Sequence, residues 1–202
     1  MTSISDSDLR AIVERVVRRT LGADPAPSTR GETVMLPPRP SPVAAQHPDS
    51  GGNIVALGAD HGGYPLKETL KAHLASLGYS VIDCGTNSTE AVDYPDFAYA
   101  VARLVSEGQA WRSIIVDGAG IGSAMAANKV PGVRAALCYD HATAVNSREH
   151  NDANVLTLGA GLIGPNLAKQ IAETWLRTEF GGGRHAKRVD KIVEIERRFL
   201  KS

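Results

Sequence analysis

Beyond residue 52 the chain alternates between two hydrophobic patterns. Five short apolar runs, NIVALGAD, YSVIDCG, SIIVDG, VRAALCYD and ANVLTLGA, have the length and residue types of buried strands. Between and after them come stretches with apolar residues at steps of three and four. These are YPLKETLKAHLASLG, ending at Gly78; DYPDFAYAVARLVSEGQ, with Pro95 in its first turn; the short GSAMAANKV; HATAVNSREHN; PNLAKQIAETWLRTEF; and HAKRVDKIVEIERRFL. Strand–helix alternation with apolar strands predicts an α/β fold, a five-stranded parallel sheet covered by helices on both faces.

Residues 5–21 carry one more helical pattern. Leu9, Ile12, Val13, Val16, Val17 and Leu21 fall on one face, and Arg10, Glu14, Arg15, Arg18 and Arg19 lie mostly on the other. Ser5 or Ser7 can cap the start, and Gly22 ends the run. Residues 23–52 are dense in Pro, Ser and Gly with no period, and read as a disordered, partly extended linker. The predicted organisation is a short amphipathic helix over 1–22, a linker over 23–52 and a single α/β domain over 53–202.

Charge narrows the partners. Lys+Arg and Asp+Glu balance at 22 each, so no global basic field gathers nucleic acid or anionic lipid, and any anion site is local. No apolar run approaches the roughly 20 residues of a membrane span, and MTSISDSDLR has no signal-peptide core. The expectation is a cytoplasmic protein without nucleic-acid or membrane partners. Its two cysteines, Cys84 and Cys138, match no zinc spacing and read as reduced thiols buried on strands, with a bridge between them as the alternative.

In parallel sheets ligands sit at the carboxyl ends of the strands. There the sequence places GADHGG with Asp60 and His61, DCGTNSTEAVDYP with Asp83, Thr86, Asp93 and Tyr94, then DGAGIGS, CYDH and LGAGLIG. Gly118, Gly120 and Gly122 permit a tight turn whose amides form a pocket for negative charge, a phosphate or a developing oxyanion. A ligand-free strand-to-helix turn explains the same glycines. A dinucleotide fingerprint fits poorly, because Ser123 takes the third glycine position and the loop follows the third strand. Arg184 and Arg188, four apart at a helix start after a glycine run, oppose the helix dipole and so suggest an anion there; a solvated basic face is the other reading. Among six histidines, His61 and His150 stand out because both fall at element ends.

Together GADHGGYPLK, VIDCGT, DYPDFA, GAGIGSAMAANKVPGVRAA, SREHNDANVL and GGRHAKRV resemble the ribose-5-phosphate isomerase B family, whose relatives include galactose-6-phosphate isomerase subunits. The resemblance spans residues 53–199. It implies a Rossmann-like three-layer α/β/α sandwich, a homodimer or tetramer with sites shared between subunits, and no metal or nucleotide cofactor. It also implies an enzyme that interconverts an aldose phosphate and a ketose phosphate through an enediolate. By the same resemblance His150 assists ring opening, and Asp60 and His61 line the sugar-phosphate pocket. Gly118, Gly120 and Gly122 stabilise the enediolate with Asn128 nearby, Tyr94 and Asn151 touch substrate, and Arg184 and Arg188 clamp the phosphate across the dimer interface.

Three positions depart from the family pattern. Asp117 stands where many members have a cysteine base, Ser123 where another branch has a glutamate, and Gly161 where an arginine often helps hold phosphate. Asp117 is the candidate substitute base, with the alternative that it only accepts hydrogen bonds from the loop. Residues 5–21 with their linker resemble the encapsulation peptides of bacterial microcompartment cargo enzymes. That implies shell proteins as partners and a microcompartment lumen as location. An oligomerisation helix, a membrane-surface helix and docking onto the chain's own domain compete with this reading.

Overall fold

The computed structural model describes residues 53–200, so the predicted helix over 5–21 and the linker over 23–52 lie outside the described residues. Strands β1 (Ile54–Ala59), β2 (Ser80–Asp83), β3 (Arg112–Asp117), β4 (Ala135–Leu137) and β5 (Val155–Gly159) alternate with helices α1 (Tyr64–Ser76), α2 (Tyr94–Ser106), α3 (Ile121–Ala127), α4 (His141–Glu149) and α5 (Pro165–Arg177). A last helix, α6 (Arg184–Phe199), follows. Every strand pairing is parallel, in the order β2-β1-β3-β5-β4.

The apolar runs become central strands for the expected reason. β3 and β5 are buried throughout and β1 nearly so, each covered on both faces. On one face Leu66, Leu70 and Leu74 of α1, Ala144 of α4, and Ile171, Trp175 and Leu176 of α5 pack over Leu57, Ile114, Val116, Leu156 and Leu158. On the other, Ala98, Val101 and Ala102 of α2 and Ala127 of α3 cover Ala56, Ile115 and Val155. The edge strands are half-exposed, and β4 is only three residues long although VRAALCYD reads as a longer strand. Cys138 is buried just past β4, whereas Cys84 is only partly buried and follows β2; both are free thiols. The expectation of two buried strand cysteines therefore fails at Cys84, where the chain leaves an edge of the sheet.

Two buried arginines hold the ends of the helices opposite the crest. Arg112 Nη1 donates to the carbonyls of Trp175 and Leu176 at 3.0 and 2.7 Å, satisfying the open end of α5. Arg148 donates to Ala153 O at 2.5 Å and to Asp152 Oδ1 at 2.8 Å. Asp152 has φ +48° and is held from its other side by Arg134. These contacts fix the turn that carries His150 and Asn151. Among the described residues, no helix is long and apolar enough to cross a membrane.

Candidate active site

The strand order places the site. After β1 the chain goes to one side of it for β2, then to the other for β3, and ligands of doubly wound sheets bind at such a switch point. Ala59 pairs with Val116 and Asp117 with Gly159, so the loops after β1, β3 and β5 rise from one level. Asp60 and Asp117 thus end adjacent strands, and both are buried, at 8% and 5% exposure. The loop after β1 lies so close to β3 that a Cβ on Gly63 would fall 2.1 Å from Val116 O. Asp60 Oδ1 accepts from the Gly63 amide at 2.9 Å, which sets the start of α1.

The glycine loop is wound around the Asp117 carboxylate. Oδ1 accepts from the amides of Ala119, at 2.8 Å, and Gly120. Oδ2 accepts from the Ser123 amide at 3.1 Å and from the Ser123 hydroxyl. Gly120 has φ +76°, and a Cβ there would meet Leu137 at 2.4 Å, so this position requires glycine on two counts. The Tyr139 hydroxyl donates to Ala119 O at 2.9 Å and fastens the loop from the β4 side. The amides of Gly118, Ile121 and Gly122 have no partner among the described residues.

Tyr94 and His61 stand at the same crest. A Cβ on Gly122 would lie 2.5–2.8 Å from Tyr94 ring and hydroxyl atoms, so the phenol rests directly on the loop. His61 Nδ1 lies 3.2 Å from the amide and 3.1 Å from the carbonyl of Val92, tying the end of β1 to the segment that leads into Tyr94. Gly122→Ala is expected to displace the Tyr94 ring and cut kcat/KM by about tenfold. A steady-state assay on the variant checks this, and an unchanged rate would place Tyr94 outside the site.

The other candidate residues stand elsewhere in the same chain. Helix α4 leaves the carboxyl end of β4 and descends nine residues, about 13 Å at 1.5 Å per residue, to His150 and Asn151 beside the amino end of β5. His150 stacks flat on His185 of α6, with centroids 4.2 Å apart and planes 4° from parallel. The Gly181 amide donates to Glu149 O at 2.9 Å, which brings the start of α6, with Arg184 and Arg188, to this corner. Burial, then the neighbouring His150, Arg184 and Arg188, push the His185 imidazole below its usual value. One chain therefore gathers Asp60, His61, Tyr94, Asp117 and the glycines at the crest, and His150, Asn151, Arg184 and Arg188 at the opposite end.

Asn128 lines one cavity with Asn151. It follows α3, seven residues or about 10 Å from the glycine turn. Its amide is engaged with β4, accepting from the Ala135 amide at 2.8 Å and donating to Ala135 O at 2.9 Å. Its side chain mimics a strand partner and starts β4. Gly161 also has a local reason. Its amide donates to Gly118 O at 3.0 Å, and a Cβ there would come as close to that oxygen.

Sequence reasoning missed Ser123 as a partner of Asp117, Tyr139 as a fastener, and Lys67. Lys67 is fully buried, with Nζ 2.7 and 2.8 Å from the oxygens of Asp83 and 2.7 Å from Glu68 Oε1. Lys71 reaches Asp83 Oδ2 at 2.5 Å, and Asp83 Oδ1 accepts from the Gly85 amide. That turn pairs with Ala59 at the end of β1. The signal available was a lysine on the apolar face of YPLKETLKAHL, in step with Leu70 and Leu74.

The arrangement has known counterparts. A family model described as Ribose/Galactose Isomerase matches residues 55–192. The chain belongs to that family. It is 45% identical over 144 residues to ribose-5-phosphate isomerase B of Escherichia coli, covering 71% of this chain and 97% of that protein. It is 44% identical over 143 residues to D-erythrulose-4-phosphate isomerase of Pectobacterium atrosepticum, covering 70% and 94%. Among solved structures, ribose-5-phosphate isomerase B of Clostridium thermocellum superposes with a TM-score of 0.72 at 52% identity, covering 73% of this chain and 99% of that one. The Rossmann-like α/β fold with a five-stranded parallel sheet is the family's fold, as the resemblance implied.

Proposed function

We propose that this chain is an aldose–ketose isomerase of sugar phosphates, converting ribose 5-phosphate and ribulose 5-phosphate through an enediolate. The crest carries this reading: a buried carboxylate at the β1/β3 switch point, with unpaired loop amides beside it. In the open-chain aldose a base takes the proton from C2, and the freed pair forms the C1–C2 double bond as the carbonyl π pair moves to O1. The O2 hydroxyl proton passes to O1, and the base returns its proton at C1 as O2 becomes the ketose carbonyl. Asp117 is the proposed base, and the amides of Gly118 and Gly122 stabilise the enediolate oxygen. Asp60, His61 and Tyr94 hold the sugar. No step needs a metal or nucleotide.

His150, Asn151, Arg184 and Arg188 enter this scheme from a second copy. They lie about a helix length from the crest of their own chain, so one subunit holds two half-sites and a dimer holds two whole ones. His150 then meets the ring oxygen of the closed sugar, Asn151 a hydroxyl, and the two arginines the phosphate. Mixing Asp117→Asn subunits with Arg184→Ala subunits should restore about a quarter of wild-type activity, because half the dimers are mixed and each has one intact site. No recovery on mixing would place both residues in one subunit's site.

The deciding assay is ketose formation from a panel of ribose 5-phosphate, a tetrose 4-phosphate and galactose 6-phosphate. Turnover of ribose 5-phosphate is expected. Binding without turnover of any of them would favour the second reading, a sugar-phosphate-binding module without a base. One observation favours that reading, since all four hydrogen bonds to the Asp117 carboxylate come from its own loop and helix. Residues 5–21 are proposed as an encapsulation peptide that takes the enzyme into a protein shell. Deleting residues 1–40 should leave turnover intact and abolish co-purification with shells; a truncated enzyme that still partitions into them sinks the idea.

A further inference from the structure

We infer that Asn146, which plays no part in the reading above, fixes His150 as the Nε2–H tautomer, so that the imidazole meets the sugar as a hydrogen-bond donor. The inference rests on the proposed role of His150 only for its consequence in catalysis. Asn146 lies one turn before His150, and its Nδ2 is 2.8 Å from His150 Nδ1. An amide nitrogen has only hydrogens to offer, so Nδ1 must present its lone pair, and the proton of the neutral ring sits on Nε2.

The direction of this contact is set by a chain of partners that ends on the backbone. Asn151 Nδ2 donates to the main-chain carbonyl of Asn146 at 3.2 Å, and a carbonyl can only accept. That fixes the Asn151 amide. The same Nδ2 lies 3.3 Å from Asn146 Oδ1, which fixes the Asn146 amide with its nitrogen toward His150. Reversing Asn146 would set two amide nitrogens against each other. Stacking on His185 holds the ring plane. Among the described residues, Nε2 has a loose neighbour on the outer side, Glu149 Oε1 at 3.9 Å, and the other charged or titratable groups at this corner are Arg184, His185 and Arg188. A neutral ring so held donates to a sugar oxygen at Nε2 and takes no proton there. Asn146 is therefore a positioning residue, and Asn151 both touches substrate and anchors the tautomer.

The test is the tautomer itself, read on the full-chain protein labelled with 15N-histidine. Two-bond proton–nitrogen correlation at a pH where the ring is neutral separates the two forms, and His150→Gln identifies the His150 signals. The wild type should show the Nε2–H pattern. In Asn146→Asp the carboxylate can only accept, so the pattern should reverse to Nδ1–H, and in Asn146→Leu the two forms should mix. With the tautomer reversed, kcat/KM on ribose 5-phosphate should fall about 10- to 100-fold. A wild-type ring in the Nδ1–H form, or a pattern unchanged in Asn146→Asp, overturns the inference even if the enzyme is active. The expected patterns in a protein that turns over no sugar phosphate would uphold the inference and overturn the isomerase reading instead.

Discussion

Asp117→Asn is expected to lower kcat/KM on ribose 5-phosphate by about 10²–10⁴-fold, the usual contribution of a positioned general base. The substitution removes the charge and reverses one hydrogen bond. An asparagine can keep its oxygen toward the Ala119 and Gly120 amides, but its nitrogen then faces the Ser123 amide, donor against donor. The Ser123 hydroxyl can rotate to accept, whereas the amide cannot. Two effects are therefore combined, and Asp117→Cys separates them. A thiol at this place supplies the base that many relatives are expected to carry, so turnover should return toward the wild-type value while the loop still loses its carboxylate. A loss smaller than about tenfold in Asp117→Asn, measured at saturating and limiting sugar, would reduce Asp117 to an anchor of the loop.

Asp83→Ala should have the largest effect on stability, about 3–5 kcal/mol by chemical denaturation at fixed protein concentration. Lys67 is fully buried, and Asp83 meets its ammonium with both oxygens. Removing the carboxylate leaves a buried cation with Glu68, which is itself partly exposed, as its remaining partner. The pH dependence has a definite sign. Burial pushes the Asp83 carboxyl up, but hydrogen bonds from Lys67, Lys71 and the Gly85 amide outweigh it and hold the pKa at about 2, below the ordinary 3.8. A lowered carboxylate stabilises the fold above the unfolded value and loses that contribution as pH falls. On the order of 2 kcal/mol should therefore disappear between about pH 4 and pH 2, and Asp83→Ala should lack that part of the acid slope. A loss below about 1 kcal/mol would mean that Glu68 alone suffices for Lys67.

Several features of the site were legible because they are local. A glycine at a left-handed turn and an aspartate at a strand end are properties of a few neighbouring residues, so DGAGIGS announces a loop before any fold is known. The placement of His150 at the end of a helix followed from periodicity in the same way. The pairing of the Asn128 amide with β4 was not legible, because motif order says which residues are near in sequence, not which strand a side chain meets. Ser123 was noticed only for the side chain it lacks, whereas its hydroxyl and amide both serve Asp117.

The alternation of five apolar strands with amphipathic helices, the parallel sheet and the polar crest could be read from the residue pattern, because burial on two faces and helix periodicity are written residue by residue. That β1 and β3 are neighbours, and so that Asp60 and Asp117 flank one switch point, came from the folded packing. The same packing sets His150, Arg184 and Arg188 at the far end from them, and lets Lys67 meet Asp83 inside the protein. Those facts depend on strand order and on the direction in which each helix returns, which are settled by the packing of the whole chain.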